Sequence, residues 1–268
     1  MSIVESSMHQ WRLWLIALGF FTRIKIKPIE NFQPQWLNQA SRYYGLVGLL
    51  VGGLSATAFW LASLILPLSI AVILAMIASV LITGAFHEDG LADTWDGFGG
   101  GWSTEQKLTI MKDSRLGTYG ALALMLALLL KFQLLVELAS TAALFHPLPN
   151  IVTALLVAHC LSRVLAVSLI FDQRYVRDID SSKVKPMTEQ QSPTELIILL
   201  VSALLPLFLL PIILSTTLII TLCFLRLGIV KWYQAQLGGY TGDLLGQAQQ
   251  LAELVIYLTI LIFLTQFI

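Results

Sequence analysis

The sequence predicts an all-α fold, a polytopic bundle of about seven transmembrane helices preceded by a helix at the membrane surface. Hydrophobic residues make up 57% of the 268 residues, charged residues only 12%, and the mean hydropathy is +0.79. The apolar residues also lie in long runs, as membrane spans of about 20 residues require. This composition excludes a disordered chain, a nucleic-acid-binding protein with a basic face, and an ordinary soluble enzyme.

The first element is a short apolar patch from Trp14 to Phe21, flanked by charged residues. It is too short to span a bilayer and no small-residue cleavage site follows it, so we expect an interfacial helix with Trp11, Trp14 and Phe21 at headgroup level. Seven later segments are predicted spans: 44–64, 66–86, 118–140, 150–170, 195–213, 214–230 and 252–268. Pro206 and Pro211 interrupt the fifth and sixth, which could instead form one tilted helix.

Basic residues indicate the orientation of the bundle. Thirteen of the 16 Lys and Arg residues precede the first span or lie in three polar segments, 87–117, 171–194 and 231–251. The alternate connections, near 65, 141–149 and near 213, contain none. The positive-inside rule therefore predicts a cytoplasmic N-terminus and three cytoplasmic loops within a single membrane domain, 1–268.

An acidic segment, 86–101, carries the strongest functional signal. If it is helical, Asp89, Asp93 and Asp96 lie at positions i, i+4 and i+7, which places three carboxylates on one face. Their mutual repulsion must be offset, and Mg²⁺ prefers carboxylates together with phosphate oxygens and water. Ionisable residues that face the interior of a membrane bundle are commonly functional. The pattern therefore indicates a magnesium site at the cytoplasmic end of the second span.

Several neighbouring residues are further candidates. His87 could be an acid, a base or a helix cap, and Glu88 adds a fourth acid within nine residues. Downstream, Lys112 and Arg115 could bind phosphate or form an ordinary basic membrane anchor.

Two basic residues within predicted spans also need partners. Arg163 requires a neighbouring acid, such as Asp172 or Asp89, and could bind phosphate or form a structural ion pair. Lys131 is expected to snorkel to the interface or to pair across helices.

The motifs together resemble a known family. The segments are His87-Glu-Asp-Gly-Leu-Ala-Asp-x-x-Asp-Gly97, Ile110-Met-Lys-Asp-Ser-Arg-Leu-Gly-Thr-Tyr-Gly120, Gly238-Gly-Tyr-Thr-Gly-Asp-Leu-Leu-Gly-Gln-Ala248, Ala17–Ile24, Tyr44–Gly52 and Glu253. This set is similar to the cobalamin (5′-phosphate) synthase, or adenosylcobinamide-GDP ribazoletransferase, family.

The resemblance implies a Mg²⁺-dependent enzyme of the bacterial inner membrane with its active site on the cytoplasmic side. It would join adenosylcobinamide-GDP to α-ribazole or its 5′-phosphate and release GMP. The implied partners are those substrates and the lipid bilayer, with no nucleic acid, and homo-oligomerisation stays open.

The resemblance also suggests a role for each candidate residue. Metal would be held by Asp89, Asp93, Asp96 and Asp113, and Glu88 or His87 would be the base. Phosphate oxygens would be bound by Lys112 and Arg115. Asp243 would bind a metal or a ribose hydroxyl, although an ordinary helix N-cap explains it equally well.

Three alternative functions share some of these features. A CDP-alcohol phosphotransferase acting on lipid precursors also begins its motif with Asp-x-x-Asp-Gly, but the Ala-Arg that should follow is absent after Gly97. A prenyltransferase would need a second aspartate motif, and Asp172, Asp178 and Asp180 have the wrong spacing. A cation-coupled transporter would place its charges near the midplane of repeated helices, and the sequence shows no repeat.

Overall fold

The computed structural model describes residues 3–141, 150–176 and 190–266, and over these residues the chain is mainly helical. This confirms the predicted all-α class. The helices are α1 (Ile3–Phe21), α2 (Gln35–Ala40), α3 (Tyr44–Ser63), α4 (Leu68–Thr83), α5 (Phe86–Gly100), α6 (Thr104–Ile110), α7 (Thr118–Ser140), α8 (Asn150–Asp172), α9 (Pro193–Leu207), α10 (Ile212–Leu237) and α11 (Gly242–Gln266). A short 3-10 turn, Ser41–Tyr43, joins α2 to α3.

Among the described residues, five helical segments are long and apolar enough to cross a membrane: Gln35–Ser63, which contains α3, and helices α7, α8, α10 and α11. A sixth is added if α4 and α5, which meet at an angle of 87°, are counted as one broken span. The predicted count of seven is therefore not confirmed. The fifth predicted span corresponds to α9, whose 15 residues reach roughly 22 Å and are shorter than a span needs.

Helix α8 is the centre of the bundle, because nearly all of its side chains are buried. Helix α3 packs closely along it through Gly45, Gly48 and Gly52. A Cβ atom on Gly48 would collide with the backbone carbonyl of His159, and one on Gly52 would lie 2.7 Å from the carbonyl oxygen of Leu155. Small residues therefore allow the two backbones to approach, as is common between membrane helices.

The N-terminal helix is present as predicted, but Phe21 does not lie at the surface. Its ring exposes only 7% and packs edge-on against Tyr44, with 4.3 Å between the ring centroids. Trp11 is exposed and Trp14 is half-buried. The last turn of α1 is therefore part of the bundle core rather than of an interfacial face.

A sharp break separates α4 from α5, so the acidic helix does not continue the second span as expected. Gly84 and Ala85 both adopt left-handed backbone conformations, with φ of 69° and 59°. Glycine adopts this conformation freely, whereas for alanine it costs about 1 kcal/mol or more. Since two left-handed residues end the α-helical path, α5 leaves α4 at 87° and lies against the first turns of α7 and α11.

The predicted cytoplasmic segment 231–251 is mostly helical. Helix α10 continues to Leu237 and α11 begins at Gly242, so only the turn 238–241 is not helical. This turn pairs with the segment that follows α8: Val176 N–H donates to the Tyr240 carbonyl at 3.0 Å, and Tyr240 N–H donates to the Arg174 carbonyl at 2.8 Å. The predicted loop 87–117 likewise contains α5 and α6.

Parts of two predicted connections lie outside the described residues. They are 142–149 and 177–189, the second of which includes Arg177, Asp178, Asp180, Lys183 and Lys185.

Candidate active site around α5

Helix α5 carries the acidic motif and lies close to α11. A Cβ atom on Gly90 would be 2.7 Å from the backbone carbonyl oxygen of Asp243, and one on Gly246 would be 3.2 Å from the carbonyl oxygen of His87. Neither position leaves room for a larger residue without movement of the backbone. The acidic motif and the late glycine-rich motif therefore meet in space through these two glycines.

The three aspartates lie on one face of α5, as the spacing predicts, because the segment is helical throughout. We call Asp89, Asp93 and Asp96 the Asp face. Asp89 is exposed, Asp93 is half-buried and Asp96 is buried, with 8% of its surface exposed. The Asp face is therefore open to solvent at Asp89 and is covered by the start of α7 at Asp96.

Asp96 is held by the first turn of α7. Its carboxylate accepts a hydrogen bond from Gly117 N–H at 2.7 Å and another from Gly120 N–H at 2.8 Å. A Cβ atom on either glycine would collide with the carboxylate, so both positions require glycine. The positive end of the α7 dipole stabilises the negative charge, which explains how an acid is tolerated here.

The residues fit a magnesium site at which the bound substrate would supply some of the metal ligands. They do not form a complete set of protein ligands. Within 3–141, 150–176 and 190–266, no three His, Cys, Asp or Glu side chains are grouped closely enough to hold a metal. Mg²⁺ commonly uses one or two carboxylates with phosphate oxygens and water. Asp89 and Asp93, one turn apart and both reached by solvent, have the donor chemistry for that arrangement.

Asp113 and Arg115 form an ion pair with each other. The Arg115 Nη2 atom lies 2.6 Å from Asp113 Oδ2, and this hydrogen bond raises the pKa of the Arg115 guanidinium. Both residues lie on the segment between α6 and α7, where Arg115 and Lys112 are exposed. Phosphate binding by Arg115 and metal binding by Asp113 would each compete with this pair.

His87 and Glu88, the candidate bases, face the bundle interior instead of the Asp face. The His87 ring is 4% exposed and stacks on Phe21, with centroids 5.7 Å apart. Glu88 accepts a hydrogen bond from Gln250 Nε2 at 3.2 Å, while its other oxygen is buried without a hydrogen-bond partner. Glu88 thus links α5 to the interior polar residues of α11.

Beneath α5 lies a set of polar side chains that we call the buried cluster: Lys131, His159, Arg163, Gln249, Gln250, Glu253 and Tyr257. Its centre is Glu253, whose Oε1 lies 2.6 Å from Lys131 Nζ and accepts the Tyr257 hydroxyl at 3.0 Å. The prediction that Lys131 pairs across helices is thus confirmed, in preference to snorkelling.

The expected acidic partners of Arg163 are wrong. Its Nη1 donates to the backbone carbonyl of His159 at 2.8 Å, and its charge interacts with those of Glu253 and Glu88. Asp172 pairs instead with Arg226, at 2.8 Å. Arg163 therefore belongs to the buried cluster, and its proposed contact with phosphate is not visible in this arrangement.

Asp243 lies in the first turn of α11, half-buried and beside Gly90. It is not the N-cap, because α11 begins at Gly242 and the hydroxyl of Thr241 accepts a hydrogen bond from Leu244 N–H at 3.3 Å. The purely capping interpretation of Asp243 is thus wrong, and the residue stays a candidate ligand for substrate or metal.

Comparison with known proteins shows which family the chain belongs to. The family model of cobalamin-5-phosphate synthase matches residues 13–261. The chain belongs to the cobalamin-5-phosphate synthase family. Its relatives include proteins named adenosylcobinamide-GDP ribazoletransferase from Shewanella baltica (strain OS195), 53% identical over 98% of both chains, and from Shewanella frigidimarina (strain NCIMB 400), 55% identical over 95% of both. No solved structure matches the chain.

This cobalamin-5-phosphate synthase family member is a transferase enzyme with several apolar helices, as expected of a multi-pass membrane protein. The segments that carried the resemblance converge on α5. The acidic motif meets 110–120 through Asp96 and Gly117, and meets 238–248 through Gly90 and Asp243. Phe21, from the segment Ala17–Ile24, stacks on His87.

Sequence reasoning missed three members of the buried cluster of this family member, Gln249, Gln250 and Tyr257. On α11, Gly246, Gln250, Glu253 and Tyr257 are spaced as i, i+4, i+7 and i+11, which places them on one face of the helix. That polar stripe at the start of an apolar helix was the available signal. Of the three polar side chains in this stripe, only Glu253 was recognised, as part of the family resemblance.

Proposed function

We propose that the protein joins adenosylcobinamide-GDP to α-ribazole, or to α-ribazole 5′-phosphate, and releases GMP in a Mg²⁺-dependent reaction. The observation that carries the proposal is the meeting of three motif segments at the Asp face, in a chain 53–55% identical to proteins named for this reaction. We also propose that the site faces the cytoplasm from the bacterial inner membrane. The basic residues that precede the first span and flank the Asp face support this orientation.

The reaction replaces one phosphorus–oxygen bond with another. A ribose hydroxyl of α-ribazole attacks the phosphorus that carries the cobinamide, the bond from that phosphorus to the bridging oxygen breaks, and GMP leaves. Bound Mg²⁺ would neutralise charge on the phosphate oxygens during this exchange. Asp89 and Asp93 would hold the metal, because they are accessible carboxylates one helical turn apart.

The remaining residues bind and orient the substrates. Lys112 and Arg115 are exposed beside the site and would hold phosphate oxygens, with Arg115 exchanging Asp113 for phosphate. Asp96 fixes the start of α7 next to the metal carboxylates and leaves lone pairs for a metal or water. Asp113 would join the metal once Arg115 is drawn away, and Asp243 would bind a ribose hydroxyl.

The hydroxyl proton needs an acceptor. Glu88 has one buried oxygen without a hydrogen-bond partner, and His87 lies beside it on α5. Both point into the bundle, so proton transfer from the Asp face would pass through water at the edge of α5. Of the two, Glu88 is favoured because its carboxylate has a vacant acceptor position.

The deciding experiment is turnover by purified protein in liposomes with Mg²⁺, adenosylcobinamide-GDP and α-ribazole, followed by GMP release. We expect Asp89→Ala to lower the rate more than about 100-fold with a thermal midpoint close to that of wild type, since Asp89 is exposed. The matched control is Asp172→Ala, which removes a partly exposed acid paired with Arg226 outside the site. Full turnover by Asp89→Ala, or no GMP release by wild type, would contradict the proposal.

A further inference from the structure

The buried cluster is charge-balanced and lies where ionisable side chains are energetically unfavourable. Each of its members exposes 3% or less of its surface. Two acids, Glu253 and the neighbouring Glu88, face two cations, Lys131 and Arg163. The Asp face lies on the opposite, solvent-reached side of α5. The proposed reaction gives no role to Lys131, Gln249, Gln250 or Tyr257, although the proposed base Glu88 borders them. Because ionisable residues inside a membrane bundle are commonly functional, we looked for a role of this network besides the proposed reaction.

The centre of the buried cluster is rigidly bonded. Besides Lys131 and Tyr257, Glu253 accepts a hydrogen bond from Gln249 Nε2 at 2.7 Å, and the same nitrogen donates to Ser162 Oγ on α8 at 2.9 Å. Helices α7, α8 and α11 are thereby tied together around one carboxylate. The side chains around Glu253 are consequently held in place relative to these three helices.

One side chain connects this fixed centre to α5. Gln250 Nε2 donates to Gln249 Oε1 at 2.8 Å and to Glu88 Oε1 at 3.2 Å. A primary amide has two N–H groups and can serve both acceptors together. Gln250 thus bridges the buried cluster and the residue that immediately precedes Asp89.

The glycine contact with α11 does not by itself fix the rotation of the first turns of α5. The hydrogen bonds of Asp96 to α7 act about two turns farther along the helix. At their contact, α5 and α11 present Gly90 and Gly246, so no side chain interlocks the two backbones there. Such a contact sets the separation of the helices but permits rotation or sliding of one on the other. A side-chain bond that is off the glycine contact, as between Gln250 and Glu88, resists both motions.

We propose that Gln250 is a positioning residue that locks α5 in rotation and thereby aims the Asp face at metal and phosphate. Its effect on α5 is a property of the fold, whereas its consequence for turnover rests on the function proposed above. Partners that orient metal-binding groups commonly change metal affinity or activity by about 10- to 100-fold when removed.

The direct test is hydrogen–deuterium exchange of the protein in lipid nanodiscs. In Gln250→Leu, we expect peptides covering 86–100 to exchange about tenfold faster than in wild type, with the rest of the bundle unchanged. The matched control is Gln247→Leu. Gln247 is on the same helix and fully buried, but it accepts the Tyr233 hydroxyl of α10 at 2.6 Å and does not reach Glu88. Gln250→Met, which fills similar space with a flexible chain, replaces Gln250→Leu if that variant does not accumulate.

The kinetic readout separates positioning from a general loss of stability. Gln250→Leu should lower kcat about tenfold and raise the Mg²⁺ concentration for half-maximal activity, while KM for adenosylcobinamide-GDP stays within about twofold. Gln247→Leu should leave these values near wild type. Unchanged exchange of α5 in Gln250→Leu, equal acceleration in both variants, or a loosened α5 with unchanged kcat would each overturn the proposal. Absence of GMP release by wild type would refute the proposed function, and exchange of α5 would still decide the role of Gln250.

Discussion

The Asp face and the buried cluster are two charged regions on opposite sides of one helix, and they balance their charge differently. On the Asp face, Asp89 is left to solvent and Asp96 is balanced by two backbone N–H groups of α7. In the buried cluster, Glu253 is balanced by Lys131 and by neutral hydrogen-bond donors. The Asp face can therefore accept a further cation, whereas the acids of the buried cluster are already balanced by cations of the protein.

The cations near the two regions differ in the same way. Lys112 and Arg115 are exposed and can move toward an anionic substrate. Lys131 and Arg163 are almost completely covered and cannot move without unpacking the bundle. We therefore expect changes in the buried cluster to lower stability first, and changes near the Asp face to lower activity first.

The largest effect on stability should come from Lys131→Met. It removes the ion-pair partner of the buried Glu253, and breaking a buried pair in this way typically costs about 3–5 kcal/mol. We expect a large loss of folded protein in membranes and a lower thermal midpoint in detergent, measured by fluorescence-detected size-exclusion chromatography.

The double variant Lys131→Met/Glu253→Gln sharpens this test. Removing both charges leaves a neutral amide that can still accept hydrogen bonds from Tyr257 and Gln249. We expect it to recover at least about half of the lost midpoint, since neutral replacement of a buried pair is often tolerated. Equal stability of the single variant and wild type would show that the pair does not hold the interior together.

Local patterns predicted the surface region well. The i, i+4, i+7 spacing placed the Asp face on a helix, and the predicted span 118–140 coincides with α7. These features depend on helical period and hydrophobic length, which consecutive residues determine. The break at Gly84 and Ala85 was not predicted, because nothing in an apolar run shows that an alanine will take a left-handed conformation.

The buried cluster could be predicted only in part, because its pairings join residues far apart in sequence. Arg163 was expected to pair with Asp172 or Asp89. Instead, Asp172 pairs with Arg226, and Arg163 donates to the backbone carbonyl of His159 while its charge interacts with that of Glu253. The choice among several acids depends on how α8 and α11 rotate against each other. That rotation depends on the packing of the whole bundle, including the glycine contacts of α3 with α8, which no local pattern describes.

A smaller effect on stability, with a clear loss of activity, is expected for Gly120→Ala. A methyl group there would collide with the Asp96 carboxylate and lie 2.7 Å from the carbonyl oxygen of Ala92, so α7 must shift away from α5. Overpacking of this kind costs about 1–3 kcal/mol. We expect GMP release to fall about tenfold or more, since Asp96 would lose its backbone donors and with them the register of the Asp face. The control is Gly228→Ala on α10, where an added Cβ meets no atom within 4 Å. Unchanged turnover in Gly120→Ala would mean that the Asp96 contact is not part of the site.

The smallest effect on stability is expected for Arg115→Met, which removes a highly exposed cation beside the Asp face. Its side chain is 87% accessible, so the ion pair with Asp113 contributes little to folding and the thermal midpoint should not change. If Arg115 binds phosphate, KM for adenosylcobinamide-GDP should rise about tenfold in steady-state assays, and Arg115→Lys should restore only part of the loss because it cannot form a two-pronged contact. If Arg115 serves only to neutralise Asp113, loss of the guanidinium would instead lower the Mg²⁺ requirement and leave KM unchanged. The two outcomes differ in sign and in the ligand affected, so one titration of Mg²⁺ and one of adenosylcobinamide-GDP separate a phosphate-binding arginine from a regulator of the metal site.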